Sequence, residues 1–212
     1  PVAWDALEVD PTAMSRVAHA DAVCFGTLAQ RHPTSRQTIR TLLEVGRAAR
    51  LRLCDINLRA PHFDRAVIED SLQWANALKL NETELPAVCS LLDLHTTPGM
   101  ALEALGRRFG LDMIIQTLGS QGSEVWTPHG TTREPGRTVQ VRDTVGAGDA
   151  FTAGVVMGHL LGWPMPMVVQ RATEIAAYVC TQSGATPPLP NELTRPYRES
   201  AGHPEPCNGI RR

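Results

Sequence analysis

Lysine is almost absent from this chain. Of its 20 basic residues one is a lysine, Lys79, set between Leu78 and Leu80. A Walker A loop places Gly-Lys before Ser or Thr, and a protein kinase carries its lysine in Val-Ala-Ile-Lys. A lone Leu-Lys-Leu satisfies neither, so both nucleotide sites are excluded. Clustered positive charge is missing as well: 20 basic and 22 acidic residues give a formal net charge of −2, with no basic block. Nucleic-acid binding rests on a concentrated positive surface that releases counterions, and is set aside. No apolar run approaches the ~20 residues that cross a bilayer. Pro1–Asp5 shows no basic segment leading into an apolar one, so neither a membrane span nor a signal peptide is expected. The five cysteines, Cys24, Cys54, Cys89, Cys180 and Cys207, are odd in number and never spaced C-x-x-C. That gives no basis for a disulfide framework or a zinc site; reduced thiols in a cytoplasmic protein are the expectation.

What is present reads as a globular domain of ordinary size: 212 residues, 42% apolar and 20% charged, enough to bury a sizeable core. Short apolar runs alternate with stretches of helical periodicity. Strands are expected at Ala22–Leu28, Leu51–Ile56, Ala77–Leu80 and Asp112–Gln116. A hairpin of Ser123–Thr127 and Thr131–Arg133 and a further strand at Val139–Val141 should follow. Helices are expected after Pro33, where Thr34 and Gln37 have capping-box spacing, around Val67–Ala75, and after Asn81. Others are expected over Met100–Phe109 with Gly110 as its stop, and near Asp149–Leu161 and Pro164–Thr181. Strands alternating with helices argue for an α/β protein with a mostly parallel sheet flanked by helices on both faces. Residues 1–190 would form that domain, and the Pro-rich, polar stretch 191–212 an irregular tail.

In such a sheet, ligands bind beyond the carboxyl ends of the strands. The end of the second expected strand carries Asp55, Asn57 and Arg59; Asn81 and Glu84 follow the third, and Thr117, Gly119 and Gly122 the fourth. The run Asp143–Phe151 (DTVGAGDAF) follows Val139–Val141. Four strand ends thus bring polar or glycine-rich groups to one edge. In the last, Gly146-Ala147-Gly148 precede a helix. Small residues there let backbone N–H groups approach an anion closely, and the helix N-terminus adds partial positive charge. Such a hole can take a transferring phosphoryl group without any lysine. Asp149 beside it is suited to accept a proton from an attacking hydroxyl. Each feature has a plainer reading. Asp149 and the glycines suit a helix cap and a tight turn. Asn81 and Glu84 suit a helix start, Asp55–Arg59 a solvated strand end, and Thr117–Gly122 an ordinary turn.

The motifs acquire meaning together. Asp143–Gly154 (DTVGAGDAFTAG) resembles the C-terminal signature of the ribokinase-like (PfkB) carbohydrate kinases. Lys79–Glu84 (KLNETE) resembles that family's N-x-x-E element, Asp55–Arg59 (DINLR) its D-x-N-x-R element, and Thr117–Gly122 (TLGSQG) its T-x-G-x-x-G nucleotide loop. The order and spacing agree from about Val2 to Pro190. The resemblance implies a ribokinase-like fold and ATP-dependent phosphorylation of a sugar hydroxyl. Asp149 would be the general base and would meet the substrate, with Gly146, Ala147 and Gly148 as the anion hole and Asn57 on the sugar. Asn81 and Glu84 would organise magnesium and phosphate, largely through water, and Arg59 would approach the phosphates. Thr117, Gly119 and Gly122 would line the nucleotide site, with Gly184 at the border of the adenine. Asp143 and the carbonyl of Val145 would hold a monovalent cation such as potassium.

The family's glycine-glycine substrate motif and lid strands have no counterpart here. Ala3-Trp4-Asp5 resembles the point where the lid returns to the main domain, so the N-terminal strands and lid are expected to be missing. Phe25–Arg31 resembles fructokinase-type members, which makes fructose the expected acceptor. The implied partners are a small sugar and ATP, with no nucleic acid or membrane, and a homodimer is left open. A non-catalytic nucleotide-binding fragment is the competing reading. A dinucleotide-binding oxidoreductase is disfavoured because no G-x-G-x-x-G lies between an early strand and helix.

Overall fold

The computed structural model describes residues 2–202; Cys207 and the rest of the expected tail beyond Gly202 lie outside the described residues. The apolar runs become short strands: β1 (Ala22–Gly26), β2 (Leu51–Asp55), β3 (Ala77–Asn81), β4 (Met113–Thr117), β5 (Gly122–Thr127) and β6 (Gly130–Pro135). Among the described residues they form one sheet in the order β1-β2-β3-β4-β5-β6, parallel from β1 to β4 and antiparallel between β4 and β5. The amphipathic stretches become α1 (Pro11–Ala18), α2 (Pro33–Val45), α3 (Arg65–Trp74), α4 (Glu84–Leu91), α5 (Ala101–Phe109), α6 (Ala147–Leu160), α7 (Met165–Cys180) and α8 (Asn191–Ser200). The expected α/β class, with a mostly parallel sheet, is the class that forms.

Register explains the core. Phe25, Cys54, Leu78, Ile114 and Trp126 are successive partners across β1 to β5, so their side chains share one face. They pack with Ile68 and Leu72 of α3, Val88 of α4 and Leu105 of α5. A Cβ on Gly106 of α5 would sit 2.1 Å from the Trp126 ring, so glycine there admits the indole. Leu53, Ala77, Met113, Ile115 and Val125 point to the opposite face and are buried too. Burial on both faces is why these strands read as continuous apolar runs and not as an alternation.

The chain divides into two compact units, residues 1–133 and 134–212. The first holds β1–β5 and α1–α5, the second α6–α8, and β6 crosses the division. Within the second unit α6 and α7 approach closely. A Cβ on Gly154 would lie 2.9 Å from the Cα of Ala172, and one on Gly158 would lie 3.2 Å from Val168.

Three expectations change. Residues 139–141 form no strand, and Val141 is 59% exposed. β6 ends at Pro135, which has no N–H to extend a ladder. The amides of Arg142 and Asp143 donate instead to the carbonyl of Cys180, at 2.8 and 3.2 Å. Thr34 and Gln37 do not form a capping box, because α2 already begins at Pro33, with His32 as an N-cap that makes no side-chain bond. Proline at the first helical position suits a start whose amide needs no partner. The tail is not irregular over 191–200. α8 forms there because Tyr197 packs on Trp163, ring centroids 4.6 Å apart, while the Trp163 Nε1–H donates to Ser200. α1 has no counterpart among the expected helices, although Asp10 caps it by accepting from the Ala13 amide at 2.9 Å.

Candidate active site

In the first unit the carboxyl ends of β2, β3 and β4 stand side by side, and the turns beyond them are joined. The Ile56 amide donates to the Lys79 carbonyl (2.9 Å), the Glu82 amide to the Thr117 carbonyl (3.1 Å), and the Leu118 amide to the Gly122 carbonyl (2.8 Å). Asn57 and Arg59, Asn81 and Glu84, and Thr117 to Gly122 therefore share one edge, as the motif order implied.

Asn81 and Glu84 form a reciprocal capping arrangement at the start of α4. Asn81 Oδ1 accepts from the Thr83 amide (2.9 Å), the Thr83 hydroxyl (2.8 Å) and the Glu84 amide (2.9 Å). Glu84 Oε2 accepts in return from the Asn81 amide at 2.8 Å. The plainer reading of N-x-x-E as a helix start thus holds geometrically, but it does not exhaust Glu84. Its Oε1 accepts from the Leu58 amide at 3.1 Å, and the residue is 6% exposed. Glu84 ties the turn after β3 to the turn after β2. With both carboxylate oxygens engaged, it suits magnesium reached through water better than direct ligation, in keeping with an ion that keeps several waters. Among the described residues no cluster of three His, Cys, Asp or Glu could hold a metal ion by itself.

Arg59 is exposed, its guanidinium donating to the neighbouring Leu58 carbonyl at 3.3 Å. Asn57 is exposed beside it. Gly119 and Gly122 have φ of +55° and +103°, a region glycine enters without steric cost, so the turn itself demands both. Sequence reasoning missed one group. Lys79 Nζ donates to both oxygens of Asp55, at 2.8 and 2.9 Å, with the two side chains 12% and 24% exposed. The available signal was the lone charge in Leu78-Lys79-Leu80, since a cation on a strand buried on both faces needs a partner.

The second unit holds Asp143, Val145, Gly146, Ala147, Gly148, Asp149 and Gly184. Gly146 has φ +81°, and a Cβ there would lie 2.1 Å from the Ala185 carbonyl oxygen, so only glycine fits. Asp143 braces the loop: its carboxylate accepts from the Val145 amide (3.0 Å) and the Gly184 amide (3.1 Å). Those two bonds hold its carboxyl below the ordinary range. The Ala147 amide donates to the Thr144 carbonyl at 3.3 Å, whereas no described hydrogen bond engages the amides of Gly148 and Asp149. Of the three amides of Gly146-Ala147-Gly148, that of Ala147 is thus the one already engaged. Asp149 is exposed in the first turn of α6, and no described hydrogen bond or ion pair involves its carboxylate. The helix-cap reading of Asp149 has no bond behind it.

A cavity of about 580 Å³ in the first unit is lined by Gly106, Asp112, Trp126 and Thr127, among others. It opens at the amino-terminal end of the parallel strands and includes none of the candidate residues. No helix of the described residues is long and apolar enough to cross a membrane.

Residues 2–192 match the pfkB family carbohydrate kinases. The chain belongs to that family. Fructoselysine 6-kinase of Escherichia coli (strain K12) is 37% identical over 76 residues, which is 36% of this chain and 29% of that protein. A fructokinase of Klebsiella pneumoniae is 28% identical over 156 residues, 71% of this chain and 48% of its own length. The solved structure of aminoimidazole riboside kinase from Salmonella enterica, complexed with aminoimidazole riboside and an ATP analogue, superposes with a TM-score of 0.67 at 26% identity. That match covers 83% of this chain and 62% of the other. The chain spans less than two thirds of the length of each of these relatives. In this PfkB chain the D-x-N-x-R, N-x-x-E and T-x-G-x-x-G elements lie in the first unit, and the Asp143–Gly154 signature lies in the second.

Proposed function

We propose that this PfkB chain carries the phosphoryl-transfer groups of an ATP-dependent carbohydrate kinase acting on a sugar hydroxyl, with fructose as the first candidate acceptor. The observation that carries the reading is an exposed carboxylate, Asp149, in the first turn of α6 beside unengaged amides, behind a loop that admits only glycine at residue 146. Asp149 takes the proton from the acceptor hydroxyl as its oxygen forms the bond to the γ-phosphorus, and the bond to the ADP oxygen breaks. The Gly148 and Asp149 amides, with the α6 dipole, face the charge on the transferred group. Arg59 and the Thr117, Gly119 and Gly122 loop serve the nucleotide phosphates, Gly184 borders the adenine, and Asn57 reaches the sugar. Asn81 and Glu84 orient water around magnesium, which when bound neutralises phosphate charge. Asp143, which braces the loop, and the Val145 carbonyl suit potassium. A cytoplasmic location belongs to the same reading.

The test is ADP release by the purified protein with magnesium, ATP and a panel of fructose, ribose and 2-keto-3-deoxygluconate. Where sugar-dependent release is measured, it should fall at least about a hundredfold in Asp149→Asn, since general-base help is worth ~10²–10⁴. ATP affinity should stay within about twofold, because Asp149 acts on the acceptor. Equal turnover in the two proteins sinks the assignment. ATP binding without any turnover favours the non-catalytic alternative.

A further inference from the structure

We infer that Lys79 is a positioning residue: through Asp55 it tethers the two turns that present Asn57 and Arg59 on one side and Asn81 and Glu84 on the other. What those turns bind rests on the kinase reading above; the tether itself rests on geometry. The ladder between β2 and β3 pairs Leu53 with Ala77, Cys54 with Leu78 and Asp55 with Lys79, and ends there. Asp55 stands two residues before Asn57, and Lys79 two residues before Asn81. The last rung of the ladder therefore lies directly behind both motifs.

The side chains of that rung bond to each other. The ammonium donates to both carboxylate oxygens, at 2.8 and 2.9 Å. The Lys79 carbonyl also accepts from the Ile56 amide at 2.9 Å. Two residues further out, Glu84 accepts from Leu58 at 3.1 Å and from Asn81 at 2.8 Å. Lys79 thus supplies both the side-chain and the backbone links at the base of the two turns, and Glu84 closes them further out. Both its side chain and that of Asp55 are mostly shielded, so solvent screens the pair less than it does an exposed one. Charge-assisted bonds are about twice as strong as neutral ones. Two turns that carry binding groups beyond the last rung of a ladder need such an anchor to hold their geometry. The chain contains a single lysine, and it stands at this rung.

The experiment compares wild type, Lys79→Met and Lys79→Arg by native-state amide hydrogen exchange and by titration with magnesium-ADP. In Lys79→Met the Leu58 and Asn81 amides should exchange about tenfold faster, while core strand amides such as Leu53 keep their rates. The dissociation constant for magnesium-ADP should rise about tenfold, as the turns lose their preset geometry. Lys79→Arg, which keeps charge and donors, should restore most of both. The double variant Asp55→Asn with Lys79→Met should stay loose, which separates a tether from simple charge balance. Unchanged exchange at Leu58 and Asn81 in Lys79→Met overturns the inference, whatever the nucleotide does. Faster exchange with unaltered ADP affinity overturns it too, and so does recovery in the double variant. A wild type that fails to bind ADP counts against the kinase reading, and the exchange rates then still decide the tether. If Lys79→Met does not fold, Asp55→Asn serves: it weakens the same rung, and unchanged exchange at the two amides overturns the inference equally.

Discussion

At residue 146 a single hydrogen atom decides what the backbone can do. Its φ of +81° is open to glycine, and the Ala185 carbonyl oxygen occupies the place a Cβ would need, 2.1 Å away. Gly146→Ala should cost on the order of 1–3 kcal/mol, read as a lower urea midpoint with an unchanged slope. Glu84 is constrained differently. Replacing it by Gln puts a donor where a buried carboxylate accepts two amides. The expected loss is about 1–3 kcal/mol of stability, together with weaker magnesium dependence. A full-strength magnesium response in Glu84→Gln leaves the residue as a clamp alone. Asp143 shows its role through pH. Its carboxyl sits below the ordinary 3.8 because the Val145 and Gly184 amides favour the charged form. A depressed carboxylate contributes stability that is present above 3.8 and lost as pH falls through its lower folded value. Asp143→Asn should therefore flatten the acid limb of a stability profile below about pH 4.

Among the elements, strands were the easiest to read and ends the hardest. Leu51–Asp55 and Met113–Thr117 carry apolar runs with one possible use, whereas Val139–Val141 looks like a strand and has no ladder to join once Pro135 closes β6. α8 was hidden because its helix-forming stretch contains Pro196 and depends on Trp163 to hold it. That contact makes a prediction. Burial pushes the Tyr197 hydroxyl up to about 12 from the ordinary 10.0, and that hydroxyl has no hydrogen-bond partner. Between pH 10 and about 12 the unfolded chain gives up this proton while the folded one keeps it, so stability should fall across that window. Tyr197→Phe should remove this part of the alkaline loss, at little or no cost at neutral pH, as read by urea unfolding at about pH 7 and about pH 11. On α6, Gly154→Val would press a branched side chain on the Ala172 backbone. It should destabilise by roughly 1–3 kcal/mol, seen as a drop in Tm.

For the whole molecule the question is which ligand the fold prefers. A ligand that binds the native state raises stability by about 2.7 kcal/mol at a hundred times its dissociation constant. Magnesium-ATP should therefore raise the thermal midpoint in a concentration-dependent way, and NAD should leave it unchanged. A rise with NAD and none with ATP would reverse the reading of the glycine-rich signature.

The class of the protein, its chief motifs and the edge of the sheet that carries three of them were all determined by the sequence alone. Periodicity, glycine placement and short motifs are local, and a strand buried on both faces advertises itself in a few consecutive residues. What only the tertiary structure decided are the partners. Lys79 meets Asp55 across 24 positions, Glu84 meets Leu58 across 26, and Asp143 meets Gly184 across 41. None of these pairs leaves a trace in local spacing, because each depends on which strand lies beside which and in what register. The N-x-x-E element shows the division most clearly. Its capping geometry is written in four neighbouring residues, while its second use, holding the turn after β2, exists only once β2 and β3 are paired.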